Sequence, residues 1–133
     1  CIRDRHSIAC AREAIARNYS SRVVLACLLH DGSEAYLSDI TRPVKGELSE
    51  YRRIEKNMQD AIYVRFLGQI PSDEEMSQIT DIDNACLYYE FDHYMGEKLM
   101  EQAPLLVTDP AFETLPFAQV EQEFLDLFAT LTV

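Results

Sequence analysis

Apolar residues recur at three- and four-residue intervals along most of this chain, and nowhere do they alternate long enough to predict a strand. A first helix is expected over 7–17, with Ile8, Ala11 and Ile15 on one face. Asn18-Tyr19-Ser20 breaks it, and Ser20 can cap the next helix. That next helix, 22–29, is apolar nearly all round, which predicts a place at the centre of the fold. Gly32 suits a chain turn and 34–37 a short helical turn, before a loop over 41–46. A long helix follows over 49–67, with Tyr51, Ile54, Met58, Ala61, Ile62 and Phe66 as its expected apolar stripe and Gly68 as its stop. Ser72 and Glu75 form a capping box for another helix that runs to about Met95. Residues 104–110 read as irregular. A last amphipathic helix over 115–131 presents Phe117, Val120, Phe124, Leu127 and Phe128 on one face. With no repeat and no linker, the pattern predicts an all-α fold: one domain, residues 1–133, a compact bundle of about five to six helices.

Composition narrows the class. A length of 133 residues supports a genuine core, and 4 Gly with 5 Pro is too few for a turn-rich sandwich. No apolar run approaches the roughly 18 residues of a membrane span. Starting at Cys1 rather than Met, the chain reads as trimmed or partial. Its 23 acids against 12 bases give a net charge of −11, which disfavours duplex nucleic acid and anionic membranes as partners. Small phosphorylated substrates stay open, because a bound cation reverses the local field. Cys1, Cys10, Cys27 and Cys86 form no CxxC pair. Together with the absence of a secretory pattern at the N-terminus, they predict buried thiols in a reducing cytoplasm rather than disulfides or a zinc knot.

The candidate chemistry begins where the central helix ends. His30-Asp31 follows the apolar run Val23–Leu29, with Glu34 and Asp39 shortly after. Charge at the end of a buried element is costly unless a metal or partner compensates it. Asp83 falls on the apolar stripe Met76, Ile79, Cys86, Leu87, and Glu90 continues that stripe; Asp81 does not. A carboxylate on a core-facing stripe requires an Arg, a hydrogen-bond network or a metal. His6, expected just before the first helix, would alone read as a surface or capping histidine. Taken with His30, Asp31 and Asp83 it completes two imidazoles and two carboxylates, a set able to hold one divalent ion with positions open for water and substrate. His93, between Asp92 and Tyr94, reads as a solvated helix residue.

The order His6, His30-Asp31, Asp83 resembles the HD-domain phosphohydrolases. More closely, it resembles the bacterial branch that includes the 5′-deoxyribonucleotidases. The branch element is a His-Asp, a Glu three residues on, then an Asp and a Pro-x-Lys; here it is His30-Asp31, Glu34, Asp39 and Pro43-Val44-Lys45, and Asp83 with Glu90 matches the branch's last ligand helix. The likeness spans about His6 to Glu90. Two departures stand out. Only five residues precede His6, where the family has a helix carrying a phosphate-contacting Arg, so that helix is missing here or Arg3 or Arg5 takes over. Tyr88-Tyr89 replaces smaller or more polar residues.

The resemblance implies a metal-dependent phosphomonoesterase. His6, His30, Asp31 and Asp83 would hold one divalent ion (Mn, Co, Fe, Ni, Zn or Mg) that activates a water against a nucleotide 5′-phosphate. Glu34 would orient or deprotonate that water, or protonate the leaving oxygen, with Asp39 as second candidate for acid work. Arg42, Lys45 and Arg3 are the expected phosphate contacts, and a homodimer is the expected assembly. The readings left open are hydrolysis of another phosphate ester (an alarmone, a cyclic dinucleotide or a nucleoside triphosphate) and a non-catalytic HD module. Ala35 after Glu34 speaks against the alarmone, whose hydrolases usually carry Glu-Asp there.

Overall fold

Several helices begin or end where backbone chemistry supplies a stop. The computed structural model describes residues 2–35, 49–96, 104–108 and 117–132. Helix α1 spans Ile2–Ala16, α2 Ser21–Leu29, α3 Ser49–Leu67, α4 Asp73–Met95 and α5 Phe117–Thr132, with a 3₁₀ turn at Gly32–Ala35 after α2. No strand occurs among the described residues, and the fold is an all-helical bundle. Asn18, at φ 61°, closes α1 in the left-handed conformation that Asn tolerates. Its N–H bonds the Ile15 carbonyl, and the Tyr19 N–H bonds that of Ala14, satisfying two carbonyls that would otherwise lack partners. Ser20 caps α2 by accepting from the Val23 N–H, and Ser72 with Glu75 makes both bonds of the expected capping box on α4. Gly68 and Gly96 take positive φ at the ends of α3 and α4, where a side chain would be strained.

Helix α2 is the hub, as its apolar run predicts. Every residue from Val23 to Leu29 is buried, and α2 packs against all four other helices. Helix α5 lies on α1 and α2, burying Val120 and seating Phe124, Leu127 and Phe128 on the same core. Ile82 of α4, 0% exposed, is a central core residue outside the expected stripe, and Met76, on that stripe, faces solvent.

Two expectations need correction. Helix α1 begins at Ile2, not Ser7, so His6 is inside the helix rather than ahead of it; nothing in residues 2–6 breaks a helix. In α3 the expected stripe does not face the core: Ile54 is 43% and Phe66 44% exposed, while Tyr63 is buried. Helix α3 packs chiefly on α2 and the 3₁₀ turn, so it needs a narrow buried face, and Phe66 instead meets Phe128 of α5 edge to face at 5.3 Å.

The α3–α4 connection is held by Arg22 at the start of α2. Its guanidinium donates to the carbonyls of Leu67, at 2.7 Å, and Gln69, at 2.9 Å, and pairs with Glu75. One side chain thus satisfies the open end of α3 and ties it to the first turn of α4. No helix among the described residues is long and apolar enough to cross a membrane.

Candidate metal centre

Three helices bring their polar exceptions to one point. His6 projects from α1, His30 sits at the C-cap of α2, and Asp83 and Glu90 lie two turns apart on one face of α4. His6 is only 6% exposed. The Asp83 Oδ1 atom lies 2.7 Å from His6 Nε2 and 3.1 Å from His30 Nε2, and the two rings meet edge to face at 5.3 Å.

The other ring nitrogens are already committed. His30 Nδ1 lies 2.6 Å from the Cys27 carbonyl, which only accepts, so Nδ1 carries the proton. His6 Nδ1 donates to Glu90 Oε1 at 2.8 Å. Both Nε2 atoms are therefore left to face one carboxylate oxygen. Two lone pairs cannot sit against that oxygen without something positive between them. Protons on both Nε2 atoms satisfy the arrangement, and so would one divalent cation, which carries the same charge. Imidazoles tied at Nδ1 to a carboxylate and a carbonyl are the outer-shell pattern of metal-ligating histidine.

Titration behaviour follows from this packing. Burial alone would lower the His6 pKa, but the hydrogen bonds to Asp83 and Glu90 outweigh it and raise it to about 10. His30 moves the same way, burial again overcome by Asp83 and by the charge of Asp31. Burial would raise Asp83, yet the two imidazoles hold it well below the usual carboxylate range. In the metal-free protein, His6 therefore adds stability that is complete below its ordinary pKa of 6.5 and is lost as pH rises through about 10. Asp83 adds stability above its ordinary 3.8 that is lost as pH falls. Thermal melts in EDTA should peak between these two ordinary values and decline from pH 7 to 10, and saturating Mn should recover the alkaline limb by taking the place of the protons. Melts in EDTA that stay level from pH 5 to 10 would refute the coupling.

Of the four expected ligands, His6, His30 and Asp83 come together, and Asp31 lies beside them with Oδ2 3.4 Å from His30 Nε2. Among the described residues a compact donor group takes Cys10 in place of Asp31: single ligand atoms of His6, Cys10, His30 and Asp83 all lie within 4.8 Å of one another. Cys10 Sγ is 3.6 Å from His6 Nε2, on the next turn of α1. Contact with Cys86, then burial, hold this thiol well above its ordinary pKa, so it lines the floor of the site as a neutral group. The spacing His6-x-x-x-Cys10 was visible in the sequence as a one-face pair, and no expectation was attached to it. Cys10, Cys27 and Cys86 are buried free thiols, as expected. His93 is exposed.

Glu34 lies in the 3₁₀ turn, but its side chain, and that of Arg3 in α1, fall outside the described residues. Asp39, Arg42 and Lys45 also lie outside them, as does Cys1. The turn itself is anchored by a residue the sequence did not flag. Gln59 of α3 donates to the Leu29 carbonyl at 2.8 Å and accepts from the Ser33 N–H at 3.0 Å, clamping both sides of His30-Asp31. Gly32 passes under Ile62, whose Cδ1 would lie 3.1 Å from any added Cβ.

A cleft of about 970 Å³ opens from this centre. His30, Asp31 and Asp83 line it, and α3 contributes Arg52, Arg53, Lys56, Gln59 and Asp60. Comparison of the chain with known protein families, with curated proteins and with solved structures found no significant match.

Proposed function

We propose that this chain is a metal-dependent phosphohydrolase of the HD type, removing phosphate from a small phosphorylated substrate, with nucleoside 5′-monophosphates as first candidates. One observation carries the reading: two imidazole Nε2 atoms converge on a single Asp83 oxygen, while both Nδ1 atoms are bonded elsewhere.

His6, His30 and Asp83 would hold one divalent cation, with Asp31 on the cleft side. When bound, the ion supplies Lewis acidity to a water and to the phosphoryl oxygens. The chain's own residues do the rest. Glu90 and the Cys27 carbonyl fix ring orientation, and Gln59 fixes the His30-Asp31 turn. Glu34 and Asp39 are the proposed acid–base groups, and Arg42, Lys45 and Arg3 the proposed phosphate contacts. The cleft, open on one side, suits a substrate of nucleotide size. A cytoplasmic homodimer is the proposed setting.

The test is phosphate release from a panel of ribo- and deoxyribonucleoside 5′-monophosphates with Mn, Co or Mg. A His30→Ala, Asp31→Ala double variant serves as blank. Metal-dependent release that vanishes in the double variant is the expected result. A folded chain that binds the ion yet releases nothing from any member would overturn the monoesterase reading.

A further inference from the structure

The cleft that His30, Asp31 and Asp83 line is also lined by basic side chains. Of the chain's 12 basic residues, Arg52, Arg53 and Lys56 fall within five consecutive positions of α3, and all three line this cleft. Their concentration is notable in a chain of net charge −11, whose overall field repels anions. Two of the three are partly neutralised. Arg53 bonds Glu50 at 2.9 Å, and Lys56 bonds Asp60 at 2.7 Å. Arg52 has no ion-pair partner among the described residues. It is exposed, one helical turn before Lys56 on the same wall.

We infer that Arg52, with Lys56 beside it, is the anion-gripping wall of the cleft, taking phosphoryl oxygens of a phosphate ester whose reacting end faces His30, Asp31 and Asp83. The inference rests on the phosphohydrolase reading and adds to it a substrate-binding residue from α3 that lies outside the resemblance-based set of Arg3, Arg42 and Lys45. The chemistry fits the residue type. A guanidinium presents a planar fork of donors that binds two oxygens of one phosphate and stays charged at any working pH. Asp31 and Asp83 line the same cleft, and their charge offsets much of what a single bound cation contributes, so holding a dianion there calls for further positive charge from the cleft wall. The helix that carries Arg52 is fixed to the rest of the fold farther along its length. Helix α3 is pinned to the His30-Asp31 turn by Gln59, and its far end to α2 by Arg22.

Inorganic phosphate is the probe, titrated calorimetrically into the Mn-loaded full chain. Arg52→Gln should weaken phosphate binding at least about tenfold, the equivalent of one charge-assisted hydrogen bond, and leave Mn affinity within about twofold. Arg52→Lys should recover part of the loss. Arg12→Gln, an exposed arginine of α1 paired with Glu123 away from the cleft, should match the wild type. Equal phosphate affinity in wild type and Arg52→Gln would overturn the assignment while leaving the phosphohydrolase reading intact. A Mn-loaded wild type that binds no phosphate would overturn both. Loss of Mn binding in Arg52→Gln would also refute the assignment, placing Arg52 in the support of the metal centre instead.

Discussion

Asp83→Asn should weaken Mn binding by more than about 100-fold, beyond the 10–100-fold that loss of an outer-shell partner costs, and should abolish metal-dependent phosphate release. The reason lies in what Asp83 does for two other groups. Its Oδ1 atom is the shared acceptor of His6 and His30, at 2.7 and 3.1 Å. An amide in its place carries no charge and turns either a poor acceptor or an N–H donor toward two Nε2 atoms. The variant should therefore show a second change, independent of any substrate. His6, held at about 10 first against burial and by Asp83 and Glu90 together, should titrate at a lower pH, followed by the ring C–H resonances in NMR. Glu90→Gln is the graded control. Its bond among the described residues is to His6 Nδ1, so metal affinity should fall within the outer-shell range while phosphate release stays measurable. An Asp83→Asn protein that binds Mn as tightly as wild type would remove Asp83 from the ligand set and with it the proposed function.

Asp83 was legible from the sequence because it violates a periodic pattern: a carboxylate on an apolar stripe is visible without a structure. Helix α3 was readable to its ends, and α4 through its capping box, because local chemistry sets those boundaries. Residues acting across the fold left no such mark. Gln59 clamps a turn some 30 positions earlier in the chain, and Arg22 caps a helix 45 positions away. Each is an ordinary polar residue on a helix until tertiary packing selects its partner. The buried face of α3 was misread for a related reason. Its apolar stripe satisfies the helical period, but the neighbours available to α3 cover a narrower surface centred on Tyr63, with Gln59 one turn before it. The cleft likewise draws its lining from the end of α2, from α3 and from α4 together, which no one helix encodes alone.

Glu13 is the residue whose loss should cost the fold most. It belongs to α1 and is 0% exposed, and its place beside Arg12 in the chain gives no sign of burial. In the fold its carboxylate is the anchor of residues 104–108. It accepts from the N–H of Val107 at 2.9 Å, from the N–H and hydroxyl of Thr108 at 2.9 Å each, and from Arg17 Nε at 2.6 Å. The same segment is held at its other end by Tyr89, whose hydroxyl donates to the Pro104 carbonyl at 3.0 Å, and by Arg17 through the Leu105 carbonyl. Burial would raise the Glu13 pKa, but the Val107 and Thr108 N–H groups and Arg17 outweigh it and lower it, so the group is charged throughout the neutral range. Removing one member of a buried charged network leaves the others desolvated and unpaired, at a cost of about 3–5 kcal/mol. Glu13→Ala should therefore lower the melting temperature by roughly 10–15 °C for a domain of this size. Glu13→Gln should do nearly as much, because one half of the amide presents N–H donors to groups that are themselves donors. Thr108→Val, which deletes only the hydroxyl, should cost about 1 kcal/mol. The sign with pH is fixed by the lowered pKa: Glu13 contributes stability above its ordinary 4.5 that is lost as pH falls, so the gap between wild type and Glu13→Gln should narrow in acid. Thermal melts of the three variants at pH 7 and pH 3 check both statements, and a Glu13→Gln protein as stable as wild type at pH 7 would show that the anchor carries no stabilising charge.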